Sequence, residues 1–166
     1  MLMDLIPKYY TLPFGDAKIR LRYTLASFLQ LEKRGLTYKV IFGDTINSAV
    51  LREFLVAGLI DKIDDTRIDK IIDIIGSNLL THIQQAVLLA LPQSDPLSIE
   101  LPSAPSQDGD DVDYKKLYTL FVDIMQRQES EFWSSTLGEI IDRWQSYSIC
   151  KGYSKPPKRM KLYDDD

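Results

Sequence analysis

The sequence predicts a mainly α-helical fold: a helical domain that opens with a short β-hairpin, then a flexible linker, then a C-terminal helical hairpin. Three observations predict it. Apolar residues recur at three- and four-residue spacing through most of the chain, the period of a half-buried helix. Strict alternation is confined to Ala17-Lys18-Ile19-Arg20-Leu21-Arg22-Tyr23, the period of a half-buried strand. Residues 92–111 read PQSDPLSIELPSAPSQDGDD, where no apolar period survives.

The elements follow in order. Tyr9-Tyr10-Thr11-Leu12-Pro13 is the expected partner strand, with Phe14-Gly15-Asp16 as the turn. Thr24 caps a helix over 24–34 whose apolar face is Leu25, Phe28 and Leu29. Gly35 ends it, and Lys33 and Arg34 suit the negative end of the helix dipole. A second helix over 46–60 carries Ile46, Val50, Leu51, Phe54, Leu55 and Leu59. A third opens at Asp65 or Thr66 and runs to residue 75, with Ile68, Ile71, Ile72 and Ile75 on one face before Gly76 breaks it. Ser77 is expected to cap a fourth, over 77–91, with Leu79, Leu80, Ile83, Val87 and Ala90 inward and Pro92 beyond its end. After the linker, Leu117, Leu120, Phe121 and Ile124 mark a helix over 113–128. Thr136-Leu137-Gly138-Glu139 has capping-box spacing and opens a last helix over 136–148, with Leu137, Ile140, Ile141 and Trp144 on one face.

The expected organisation is therefore a helical domain over 1–91, an acidic Pro/Ser-rich linker over 92–111, a helical hairpin over 112–150 and a disordered tail over 151–166. A piece of about 40 residues buries little core alone. The hairpin is expected to dock on the first domain, on a second copy or on a partner.

Charge and composition narrow the function. The net charge is −4, and residues 92–111 carry five acids with no base, while both flanking regions are nearly balanced. Neither flank has the basic excess of a nucleic-acid binder, so no nucleic-acid partner is expected. No apolar run approaches the roughly 18 residues of a membrane helix. The N-terminus, Met1-Leu2-Met3-Asp4-Leu5-Ile6, lacks the basic start of a signal peptide. One cysteine, Cys150, allows no internal disulfide and favours a reducing compartment. The cytoplasm is the expected location.

Catalytic signatures are sparse. His82, in Leu80-Thr81-His82-Ile83, is the only histidine, so no site built on two histidines is available. It is expected to be a partly buried or surface residue. A nucleophile pair would need Cys150 beside it, and nothing in the neighbourhood of Cys150 resembles an activated thiol. Asp108-Gly109-Asp110-Asp111-Val112-Asp113 resembles a calcium loop only superficially, because Gly falls at position 2 and Thr119 at position 12. Gly43-Asp44-Thr45 lacks the following lysine of a phosphate loop. Asp64 and Asp65 are adjacent and do not face each other on a helix. The expectation is a protein that is not an enzyme and takes no cofactor and no metal. Lys155-Pro156-Pro157-Lys158-Arg159-Met160-Lys161 is a basic cluster followed by three aspartates, expected as part of the tail.

Aromatic residues concentrate in the C-terminal piece, which holds both tryptophans. Such a piece is too small to bury Tyr114, Tyr118, Phe121, Phe132, Trp133, Trp144, Tyr147 and Tyr153 together. Tyr and Trp are favoured interface anchors. Phe132, Trp133, Trp144 and Tyr147 are therefore the expected partner-binding residues. Trp133 is expected just outside the last helix, and Trp144 on its inward face.

Two segments resemble a known family. In the first, Ile19-Arg20-Leu21-Arg22-Tyr23-Thr24-Leu25 leads to Leu31-Glu32-Lys33-Arg34-Gly35, then to Leu51 and Phe54-Leu55-Val56-Ala57-Gly58-Leu59. The second is Phe132-Trp133-Ser134-Ser135-Thr136-Leu137-Gly138-Glu139. Together they resemble tail assembly chaperones of long-tailed bacteriophages and gene transfer agents, in the family's order. The long acidic linker and the basic tail depart from that pattern. The resemblance implies a non-virion protein in the cytoplasm of the infected bacterium. It would bind the tape measure protein, keep its apolar helices soluble and recruit tail tube subunits. Independently of the resemblance, docking of the C-terminal hairpin on a second copy would make a homo-oligomer. The alternative is a small regulatory adaptor that binds and inhibits a host or phage protein.

Overall fold

Local sequence explains where most N-terminal elements start and stop in the computed structural model, which describes residues 8–92 and 112–153. Strand β1 (Tyr10–Phe14) pairs antiparallel with β2 (Ala17–Leu21), Leu12 opposite Ile19. Gly15, at φ 54°, takes the left-handed position of the two-residue turn between them. A short third segment extends the sheet: the Arg22 N–H donates to Gly58 O at 2.7 Å, and the Ile60 N–H to Arg20 O at 3.1 Å.

Helix α1 (Leu25–Glu32) begins at a Thr24 capping box closed by Ser27. It ends in a Schellman turn: the Leu36 N–H donates to Leu31 O, the Gly35 N–H to Glu32 O, and Gly35 has φ 75°. A 3₁₀ turn (Tyr38–Phe42) that the apolar periodicity does not mark inserts Ile41 into the core. Helices α2 (Ser48–Gly58), α3 (Asp65–Ile75) and α4 (Asn78–Ala90) match the expected ones within two residues at each end. Asn47 and Asp64 cap α2 and α3 with their side chains. Ser77 precedes α4 but makes no side-chain cap bond. Its backbone is already helical, and the Leu79 N–H is taken by Gly76 O in the preceding turn.

The C-terminal region differs from the expected two-helix hairpin. Helix α5 (Tyr114–Tyr118) runs into a π-helical stretch (Thr119–Ile124), and both end well short of residue 128. Gln126, at φ 55°, turns the chain out, with the Arg127 N–H reaching back to Phe121 O. An additional helix, α6 (Glu129–Ser134), then precedes α7 (Leu137–Cys150). The Thr136–Glu139 capping box of α7 is present as expected. Residues 151–153 form the turn that closes α7 rather than the start of a tail. The linker expected over 92–111 lies outside the described residues except for Pro92, as does the remainder of the tail, 154–166.

Two cores result. The larger gathers Leu12, Ile19 and Leu21 from the hairpin, Phe28 and Leu31 from α1, and Phe54, Ile71, Ile83 and Val87 from α2, α3 and α4. The smaller consists of Leu25, Phe121, Phe132 and Ile140. Helix α1 serves both, with Leu25 in the smaller core and Phe28 and Leu31 in the larger. Among the described residues, no helix is long and apolar enough to cross a membrane.

Candidate functional site

The rings at the C-terminal end of α7 form a partly exposed aromatic ridge. Trp144 and Tyr147 are three residues apart, so they lie on one helix face. Their centroids are 5.8 Å apart at 25°. Past the helix, the Gly152 N–H donates to Ile149 O and the Tyr153 N–H to Ser148 O, with Gly152 at φ 74°. This Schellman turn brings Tyr153 to 6.4 Å from Tyr147. The Lys151 ammonium lies 5.7 Å from the Tyr147 ring centre. The Tyr147 hydroxyl donates to Ile124 O at 3.3 Å, which ties the ridge to the end of the π-helix. Trp144 and Tyr147 are half-buried, while Ile124 is 41% and Tyr153 68% exposed. Neither Trp144 nor Tyr147 packs into either core among the described residues.

The four expected binding residues thus separate into two pairs. Phe132 is fully buried and meets Tyr118, Phe121 and Trp133 with centroids 5.3, 5.9 and 4.9 Å away. It is a core ring here, not a surface anchor, because α6 turns it into the smaller core. Trp133 lies inside α6, not in a loop before α7, and packs against that same core. Its indole N–H donates to Glu129 Oε1 at 3.3 Å. Trp144 and Tyr147 reach the surface together. Helical period alone places Trp144 inward, but α7 turns Ile140 into the core and leaves Trp144 outside it. Tyr153 and Ile124 complete the ridge and are not among the expected binding residues. The Gly152 that follows Lys151 is the available signal, since glycine just past a helix orients the next side chain back onto it.

The remaining candidates have structural partners. His82 is half-buried on α4, and its Nδ1 lies 2.6 Å from the Tyr10 hydroxyl. That hydroxyl also meets Gln85 Oε1 at 2.9 Å, so the group joins α4 to β1. Cys150 is exposed and free. Asp65 and Asp69 share Arg52, at 2.9 and 3.1 Å. A shallow cleft of about 380 Å³ lies among Phe14, Asp64, Thr66, Arg67 and Lys70. Among the described residues, no cluster of three His, Cys, Asp or Glu side chains is arranged to hold a metal ion.

A seam joins the N-terminal elements to α6 and α7, and its centre is Arg22. One guanidinium nitrogen donates to both carboxylate oxygens of Glu139, at 3.0 and 2.8 Å, and to Ser134 O at 3.2 Å. The other donates to Lys8 O at 3.0 Å. Arg22 and Glu139 are only 13% and 23% exposed, so water screens the pair weakly. Glu139 also accepts from the Thr136 N–H at 2.9 Å, so one carboxylate closes the capping box and anchors the seam. Beside it, the Leu25 N–H donates to Ser135 O at 2.9 Å.

Two of the three glycines in the quoted segments, Gly58 and Gly138, have steric roles. A Cβ on Gly58 would lie 2.6 Å from the Tyr23 ring, and one on Gly138 would lie 2.9 Å from Leu91 O. No family model, no curated protein and no solved structure matches the chain.

Proposed function

We propose that the chain is an assembly chaperone that covers apolar segments of another protein, with Trp144, Tyr147 and Tyr153 as its contact residues. One observation carries this reading: three aromatic rings in register along one edge, half-buried or exposed, with a lysine beside them. Aromatic surface outside a core is the composition of an interface centre. The resemblance of residues 19–59 and 132–139 to phage tail assembly chaperones supplies the partner. That partner is the tape measure protein, whose long apolar helices need cover before the tail tube forms. Tail tube subunits are then recruited to the complex. The work takes place in the cytoplasm of the infected bacterium, and the protein does not enter the virion. Binding, not chemistry, is its activity.

The test is co-expression with the tape measure protein of the same genome, followed by pull-down and an assay of the soluble fraction. Trp144→Ala is expected to weaken binding about thirty-fold, the equivalent of about 2 kcal/mol for a central interface aromatic. Its circular dichroism should stay that of the parent chain, because Trp144 packs into neither core. Full binding by a folded Trp144→Ala chain removes the ridge from the interface. If the parent chain neither binds nor solubilises the tape measure protein, the chaperone reading fails and the regulatory adaptor takes its place.

A further inference from the structure

We infer that the seam around Arg22 is an exchangeable docking site, which accepts α6 and α7 of a second copy of this chain as well as its own. The seam has the parts of a recognition site. It offers one guanidinium for a carboxylate, one backbone N–H, from Leu25, for a carbonyl, and one apolar side chain, Leu25, for the smaller core. What it accepts is equally specific: the Ser134 and Ser135 carbonyls, the Glu139 carboxylate and the Phe132 and Ile140 side chains.

The occupant follows from the chain itself. The docked unit, from residue 112 onward, is joined to α4 only through residues 93–111. Fully extended, a connection of that length spans about 60 Å at about 3.3 Å per residue. The radius of gyration of a domain of 100 residues is about 13 Å. The connection therefore reaches the seam of a neighbouring copy. Reciprocal exchange of two such units rebuilds every seam contact in a closed two-fold dimer, with no new surface required. Within one chain, tethering holds the unit near its own seam at an effective concentration on the order of millimolar. The monomer therefore prevails at low concentration, and the exchanged dimer gains where docking within one chain is weakened and docking between chains is not.

Charge reversal tests this directly. In the Arg22→Glu chain the introduced carboxylate faces that chain's own Glu139. In the Glu139→Arg chain the introduced guanidinium faces that chain's own Arg22. Each variant repels itself at the seam. Exchange between the two chains pairs the introduced carboxylate with the introduced guanidinium at one seam and Arg22 with Glu139 at the other, so only the mixed dimer has both pairs matched. The two variants are unfolded together in denaturant, refolded in equal amounts and weighed by native mass spectrometry. The expected product is a one-to-one dimer, twice the mass of the 19.1 kDa chain, dominant in the mixture and absent from either variant alone. The Arg22→Glu/Glu139→Arg double variant restores the pair within one chain and should be a folded monomer. A mixture that yields only monomers or single-variant species, beside a folded double variant, overturns the inference. If the double variant does not fold, the decision passes to the parent chain refolded at about 1 mM. A dimer that dissociates slowly on dilution supports exchange, and monomer alone overturns it. The outcome is independent of whether the aromatic ridge binds a tape measure protein.

Discussion

Tyr23 shows how one buried side chain links the fold to pH. Its hydroxyl donates to Phe54 O at 2.7 Å, and its ring stacks near Phe28. Burial pushes its phenol well above the usual tyrosine range, because the interior disfavours the phenolate. A pKa raised by folding stabilises the chain fully below the unfolded value of about 10, and that stability is lost as pH rises past it. Above pH 10 the unfolded chain releases this proton while the folded chain keeps it. Unfolding free energy should then fall by about 1.4 kcal/mol per pH unit from this residue. Tyr23→Phe should remove that part of the alkaline slope and lower stability at pH 7 by about 1 kcal/mol, the net value of one hydrogen bond. Urea unfolding at several pH values between 7 and 11 measures both. Gln126 is a second case, because it is the one non-glycine described residue at positive φ. Its side chain is exposed and its role is to let the π-helix end. Gln126→Gly should raise stability by about 0.5–1 kcal/mol, since glycine enters the left-handed region without the Cβ clash. For a chain of this size that is a rise in Tm of about 1–4 °C, readable by calorimetry.

At the scale of elements, the approach of α7 to the end of α4 depends on Gly138. Gly138→Ala would gain helix propensity of up to about 1 kcal/mol. The added methyl, however, would meet the Leu91 carbonyl at 2.9 Å, and a backbone oxygen cannot rotate aside as a side chain can. Overpacking of this kind costs about 1–3 kcal/mol. The clash is expected to win, with a net loss of up to about 2 kcal/mol once the full propensity gain is subtracted. Hydrogen exchange should show the loss first in the amides of α7. If Gly138→Ala is instead more stable than the parent chain, α4 and α7 are not in close contact in solution. The C-terminal elements also explain where sequence reasoning stops. The apolar spacing of Leu117, Leu120, Phe121 and Ile124 is helical, yet the chain takes the wider π turn there. Along that stretch the adjacent Leu120 and Phe121 are both buried. Helix α6 spans only Glu129–Ser134, too few residues to display a period. Nothing local separates it from a loop.

On the scale of the whole molecule, Leu25 couples the two cores. It belongs to α1, whose other buried apolar side chains face the larger core, and its own side chain completes the smaller one. Leu25→Ala should cost about 2–5 kcal/mol, the range for a buried leucine truncation. The loss should not be uniform. Hydrogen exchange is expected to rise across α5, α6 and α7, while the hairpin, α2, α3 and α4 keep most of their protection. Equal loosening of both halves would mean that the cores are one cooperative unit.

What the sequence determined by itself is the local grammar. The mainly α fold with an N-terminal hairpin was legible because periods of two and near 3.6 are written in the order of apolar residues. The turn at Gly15, the end of α1 at Gly35 and the caps at Thr24 and Thr136 were legible because each depends on residues within a few positions of it. Tertiary structure alone decided which aromatic rings are buried. Phe132 and Trp144 are both aromatic residues of C-terminal helices, and only packing against Leu25 and Phe121 distinguishes the core ring from the half-buried one outside it. It also decided that Arg22 meets Glu139 across more than a hundred residues of chain. Such a pairing depends on how elements pack in space, and burial and close approach are properties of neighbours that the chain brings together only when it folds.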